Sequence, residues 1–231
     1  MMNRQTSSPP LQEKQISAYG LQRRNMLKFF GASAAVITLG SACKDDPAPP
    51  NQNGVNLGSG DVGILNYAYA LEQLEAAFYI QVIATLYSGI TPTEQAYLTD
   101  VRDHEVVHRE FLKAALGASA IGALQVDFSS INFSSRASVL GTARTFEDLG
   151  VSAYNGAGKL LTDPLNLLYA GKIVSVEARH AATIRELLQI NSFADTVDAN
   201  ALDPAMTPAA VLAAADPFIV TQINASNLPT S

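Results

Sequence analysis

Six side chains in this sequence have the types and spacing of a metal-binding set. Only three histidines occur in 231 residues. Two of them follow a glutamate by three positions, as Glu105-x-x-His108 and Glu177-x-x-His180. On a helix, positions three apart lie on one face, about a turn from each other. Each pair therefore presents a carboxylate and an imidazole in the same direction. Two more glutamates, Glu72 and Glu147, stand midway along apolar repeats of their own. An isolated carboxylate on a core face is costly and takes up a proton rather than stay charged. Four that converge also repel one another. A pair of divalent cations balances four carboxylates in full, and oxygen-rich ligands with some imidazole suit iron or manganese.

Positioning these groups takes four helices. Hydrophobic periodicity predicts the first over 62–88, with Leu65, Ala68, Glu72, Glu75, Tyr79, Val82 and Leu86 on one stripe. The second, 92–116, carries Leu98, Val101, Glu105, His108, Leu112 and Ala115. The third, 137–161, carries Leu140, Ala143, Glu147, Gly150, Tyr154, Ala157 and Leu161. The fourth, 164–190, opens at Pro164 behind Asp163 and carries Ala170, Ile173, Glu177, His180, Ile184 and Leu187. At about 1.5 Å per residue, the distances of the four glutamates from the turns near 90 and 162 bring them to one layer of an antiparallel bundle. Residues 117–136 must then join the two helical hairpins. Twenty extended residues reach roughly 66 Å, enough to run the length of a bundle about 36 Å long. Partial alternation over 126–133 allows a short extended piece there.

This order of ligands resembles that of the ferritin-like di-iron and di-manganese carboxylate proteins, which take a lone glutamate from each of two helices and Glu-x-x-His from the other two. Here the lone glutamates are Glu72 and Glu147 and the pairs are Glu105/His108 and Glu177/His180. Tyr79 and Tyr154, each seven residues after a lone glutamate, are also similar to ferritins and rubrerythrins. The likeness covers about 61–190, and is greatest to the exported bacterial ferritin-like domain proteins. It implies an all-α, ferritin-like antiparallel four-helix bundle with a long crossover between helices two and three. It implies two iron ions, or alternatively two manganese ions, with the same six residues serving as ligands and catalytic groups. Glu75, Tyr79 and Tyr154 are candidates for groups that hold the ligands. Glu75 takes the stripe position that is histidine on helices two and four, which also leaves it open as an additional ligand, with Glu72 the better primary ligand because Tyr79 follows it at the family spacing. His104 falls off the stripe and reads as a helix-surface residue. Arg144 and Arg179 lie beside the stripes, within possible reach of ligand carboxylates. Glu94 and Glu186 fall off the stripes and are expected to take no part in metal binding.

The N-terminus reads as an address. Arg23-Arg24 precedes an apolar stretch, 29–42, too short to span a bilayer and ending in small residues before Cys43. Residues 1–42 are thus an expected export signal, similar to twin-arginine signals, and Cys43 the lipidated residue of a lipoprotein-type site. Residues 43–60, rich in Pro, Gly and Asn, read as a flexible tether. Removing 1–42 takes away Arg4, Lys14, Arg23, Arg24, Lys28 and Glu13, so the net charge moves from −6 to −10. That balance excludes a nucleic-acid partner and leaves lipid as the only hold on a membrane. A single cysteine excludes a disulfide framework and a cysteine-ligated metal. Residues 191–231 form a C-terminal extension expected to pack on the bundle, with a short helix over 208–215 stopped by Asp216-Pro217.

The implied function is redox chemistry with oxygen or peroxide outside the cytoplasm, of the ferroxidase or peroxide-scavenging type. The expected location is the periplasm or the outer-membrane or cell surface. Partners would be a small oxidant or iron, with any electron donor a separate molecule because there is no rubredoxin-like cysteine quartet. Two other readings share the fold: manganese-catalase-like disproportionation of peroxide, and a non-catalytic, metal-binding or stress-protective surface lipoprotein.

Overall fold

The computed structural model describes residues 53–230. The expected export signal, Cys43 and the tether as far as residue 52 lie outside the described residues. Four long helices carry the chain: α1 (Gly60–Ala84), α2 (Pro92–Leu116), α3 (Arg136–Gly158) and α4 (Pro164–Leu188). A short helix α5 (Pro208–Ala215) and two-residue strands β1 (Val55–Asn56) and β2 (Ile223–Asn224) complete the regular structure. Among the described residues no helix is long and apolar enough to cross a membrane.

Each start has a local cause. Before Pro92, the Thr91 hydroxyl accepts from Glu94 N at 3.1 Å, and the Glu94 carboxylate accepts from Thr91 N at 3.0 Å. This reciprocal cap satisfies two otherwise orphaned amides. Asp163 accepts from Leu165 N at 2.8 Å ahead of Pro164, and Ser135 accepts from Ser138 N at 3.4 Å ahead of α3. Helix α1 has no side-chain cap of its own. Its Asp61 instead clamps the α3–α4 turn, accepting from Thr162 N and Oγ1 at 2.8 Å, Asp163 N at 2.9 Å and Asn166 Nδ2 at 2.8 Å. Burial pushes the Asp61 carboxyl up, but the bonds from Asn166, Thr162 and Asp163 outweigh it and hold the group at about 2.

Helices α1 and α2 pack as one hairpin and α3 and α4 as another. Across the middle, Tyr79 meets Glu147 and Tyr154 meets Glu72, so α1 and α3 run antiparallel. His108 meets Glu177 and His180 meets Glu105, so α2 and α4 do too. The segment between α2 and α3 must therefore return the full length of the bundle, and it does so along α1. Asn66 Nδ2 donates to Ser119 O (2.9 Å) and its Oδ1 accepts from Ile121 N (2.9 Å). One heptad on, Gln73 Oε1 accepts from Leu124 N (2.9 Å). Farther along, the Phe78 ring meets Phe128 and Phe133, with centroids 5.9 and 6.0 Å away. Helix α1 is consequently buried on almost every side, not on a single stripe.

Several expected boundaries move. Helix α1 ends at Ala84 rather than 88; Leu86 is exposed and Tyr87 packs inward in its place. Helix α3 ends at Gly158 rather than 161. Residues 53–60, expected within the tether, are laid on the bundle. β1 pairs in parallel with β2, Leu57 is wholly buried, and Asn66 Nδ2 also donates to Leu57 O at 3.0 Å. The extended piece expected over 126–133 shrinks to one bridge, Val126 with Ile219.

The C-terminal segment packs against the bundle. Phe218 stacks edge-on against Phe146 with centroids 4.9 Å apart, while Val220 is exposed. Met206 N donates to Ser152 O at 2.9 Å. This approach needs a glycine: a Cβ on Gly156 would stand 1.7 Å from Met206 O.

Candidate metal centre

The bundle brings all six predicted side chains into its core at one level. Glu72, Glu105, Glu147 and Glu177 are wholly buried, and His180 and His108 are 4% and 9% exposed. They form two sets, each offering one atom per residue with all atoms within 4.8 Å of one another. One set is Glu72, Glu105, His108 and Glu177; the other is Glu105, Glu147, Glu177 and His180. Glu105 and Glu177 belong to both. His108 Nδ1 lies 2.8 Å from Glu177 Oε1, 3.5 Å from Glu105 Oε2 and 3.6 Å from Glu72 Oε2. His180 Nδ1 lies 2.7 Å from Glu105 Oε1, 3.4 Å from Glu147 Oε2 and 3.5 Å from Glu177 Oε2. The two halves repeat each other across the axis of the bundle.

Close as these atoms are, none of the pairs has hydrogen-bonding geometry. Glu72 Oε2, Glu147 Oε2, both oxygens of Glu105 and of Glu177, and Nδ1 of each histidine are buried without a hydrogen-bond partner. Buried polar atoms are normally paired, so such a convergence of orphaned oxygens and nitrogens fits cations at its centre. The remaining oxygens of the lone glutamates are engaged. Tyr79 Oη donates to Glu147 Oε1 and Tyr154 Oη to Glu72 Oε1, each at 2.5 Å. Burial and the facing carboxylates push both phenols well above their ordinary range, so they stay protonated and donate. Each tyrosine thus fixes the lone glutamate of the opposite helix and leaves its second oxygen facing inward.

Without cations, the charges must be balanced by protons. Burial pushes Glu105 well above the usual carboxylate range, with the Glu177 charge adding to it. Burial likewise raises Glu147 to about 7, against the opposing pull of His180. Burial works against charge on both imidazoles, yet the surrounding carboxylates prevail and raise each to about 12. Glu177 is buried too, but the facing His108 and His180 imidazoles and their charges hold it at about 2. Metal binding here would have to displace the imidazole protons.

Glu75 lies beside the centre and outside both sets. Burial and the charges of Glu105, Glu177, Glu72 and Glu147 push its carboxyl well up, which favours the neutral acid. Gly150 makes room for it: a Cβ there would stand 3.0 Å from Glu75 Oε1. Arg144 pairs with Asp148 and Asp195 at 3.5 and 3.7 Å, and not with a ligand carboxylate. Arg179 lines a shallow groove with Tyr97 and Asp100. Glu94 lies outside both sets, buried and paired with Arg136 at 2.6 Å. His104 lies on the helix surface, as its place off the stripe implies, but it also makes a contact that the spacing does not reveal. Its ring is solvent-exposed on one side, but its Nδ1 lies 2.8 Å from His180 Nε2. Sequence periodicity missed this because the two rings come from different helices.

A model of the ferritin-like domain family matches residues 60–190, more than half of the chain, and the chain belongs to that family. None of the curated proteins compared with it matches this chain.

Proposed function

We propose that the chain is a dinuclear iron or manganese carboxylate protein working on oxygen or peroxide outside the cytoplasm, as a ferroxidase or peroxide scavenger. The observation that carries this reading is the sharing of Glu105 and Glu177 between two otherwise separate sets of ligands. Two carboxylates common to both sets would allow two ions to be held side by side, and four glutamates would neutralise two divalent charges. Bound iron or manganese would supply the one-electron changes that no side chain in the cluster can make.

The chain's own residues then do three things. Glu105 and Glu177 tie the two positions together, while Glu72 with His108 and Glu147 with His180 close the ends. Tyr79 and Tyr154 hold the end carboxylates in place. The apolar core around the four wholly buried glutamates keeps bulk water from them. An apolar cavity of about 30 Å³ lies between the helices against Tyr154 and Tyr67. Any electron donor is a separate molecule, since the chain has one cysteine and no in-chain relay of the rubredoxin type. That same lack favours donor-free disproportionation of peroxide on manganese as the second reading.

The location rests on the sequence of 1–43, with Cys43 as lipid anchor. A tagged fatty acid should label the wild type and not Cys43→Ser. The function is tested by metal analysis of natively exported protein, followed by peroxide and oxygen consumption with and without an added reductant. Donor-dependent consumption on iron supports the first reading, and oxygen release from peroxide on manganese the second. Protein that takes up neither ion refutes both.

A further inference from the structure

Three histidines stand in this chain, and the two ligand sets use only two of them. The third, His104, is the residue immediately before Glu105 on α2. Its Nδ1 lies 2.8 Å from His180 Nε2, and the two rings lie within 11° of parallel with centroids 5.1 Å apart. The two nitrogens of His180 therefore face different groups. Nε2 faces His104, and Nδ1 faces Glu105, Glu147 and Glu177. If Nε2 carries the hydrogen and donates it to His104 Nδ1, the Nδ1 lone pair of His180 is left pointing at the carboxylates, where a cation would sit. In the other tautomer that lone pair points outward, away from the centre.

The opposite half of the centre has no such device. Helix α4 carries Val176 immediately before Glu177, where α2 has His104, and a valine side chain has no group that can accept a hydrogen bond. Among the described residues, no side chain accepts from His108 Nε2. The four donors of each half match in type, so this contact is one difference between them; the other is Glu75 on α1, which stands where α3 has Gly150.

Resting on the dinuclear reading above, we infer that His104 is a positioning residue for His180, and that it makes the two metal positions unequal. The position closed by Glu147 and His180 is the tighter one, and the position closed by Glu72 and His108 the weaker. A ligating histidine held through its second nitrogen keeps its ring orientation and tautomer fixed, and losing such a partner typically weakens metal binding about 10–100-fold. The site would then fill in order. His104 also sits at the rim of a shallow groove with Tyr97, Asp100, Val176, Arg179 and Thr183, so it can be replaced without disturbing the packed core.

The test is a calorimetric titration of metal-free full chain with Mn²⁺ under argon, for wild type, His104→Ala and His104→Asn. Asparagine places an amide oxygen near the position of the histidine Nδ1. Wild type should bind two equivalents with distinct affinities. His104→Ala should weaken the tighter step by about 10–100-fold and leave the weaker step unchanged, and His104→Asn should restore most of the loss. Melting of the three metal-free proteins should coincide, which separates positioning from folding. If wild type binds two equivalents and His104→Ala binds them equally well, the role of His104 is overturned while the dinuclear reading stands. Equal weakening of both steps also overturns it. Failure of the wild type to bind two equivalents overturns the dinuclear reading itself.

Discussion

Replacing Glu147 by glutamine should stabilise the empty protein and destabilise the loaded one. In the metal-free fold, burial raises the Glu147 carboxyl to about 7 from the ordinary 4.5. Between those values the unfolded chain has released a proton that the folded chain still holds, so stability falls as pH rises through this window. A shift of 2.5 units at about 1.36 kcal/mol each corresponds to about 3 kcal/mol. Glutamine has nearly the same shape, carries no charge at any pH, and can still accept from Tyr79 Oη. Metal-free Glu147→Gln should thus exceed metal-free wild type by about 3 kcal/mol above about pH 7. The gain should vanish below about pH 4.5, where both forms are neutral. At roughly 2–4 °C per kcal/mol for a domain of this size, the midpoint difference is about 6–12 °C. With Mn²⁺ at about a thousand times its Kd the order should reverse, because each site then contributes about 4.1 kcal/mol, more than the charge-removal gain, and the variant forfeits at least one. Urea unfolding in chelator at about pH 4.5 and about pH 8, repeated with Mn²⁺, decides the matter. A gain of equal size at both pH values, or no gain at the higher one, would refute the argument that an unpaired buried charge strains the empty centre.

Other substitutions separate ligands from supports. Glu177→Ala removes an oxygen from each set and should cost both ions, whereas Glu72→Ala should cost one; metals per chain by mass spectrometry distinguish them. Glu94→Ala should leave metal content unchanged yet lower stability by about 1–2 kcal/mol through loss of the α2 cap, measurable by urea unfolding. Asp61→Ala should be less stable than wild type at about pH 7, as judged by thermal melts. Because Asp61 is depressed to about 2 in the fold, its contribution is present above the ordinary value and fades as pH falls, so the two melting curves should converge towards about pH 2.

The convergence of the four glutamates and two histidines was legible because helical spacing alone places i and i+3 on one face, and a charge on an apolar face stands out against its neighbours. The sharing of Glu105 and Glu177 was not, since spacing gives the face of a helix but not which carboxylate lies between two partners. Helix α1 shows a second limit. Asn66 and Gln73 look like polar interruptions of a core helix, yet they are satisfied by backbone groups near 120, about fifty residues away along the chain. No local pattern encodes that pairing. β1 hides for a related reason: two residues within a Gly- and Asn-rich run show no period, and their partner lies at the other end of the described chain. His104 escaped because its meaning depends on a ring contributed by α4.

The parallel pairing of β1 with β2 decides how the molecule would bear mechanical load. A pull on the chain upstream of residue 53 is met first by Val55 N to Gln222 O at 2.8 Å and Leu57 N to Asn224 O at 3.1 Å, backed by the buried Leu57 side chain. Only after these yield would force reach the first turn of α1, and Glu72 lies three turns farther in. The two short strands therefore act as a mechanical fuse. Drag on a protein held by its N-terminus would peel an edge that can re-form, and the carboxylate geometry at the middle of the bundle would be shielded from the strain.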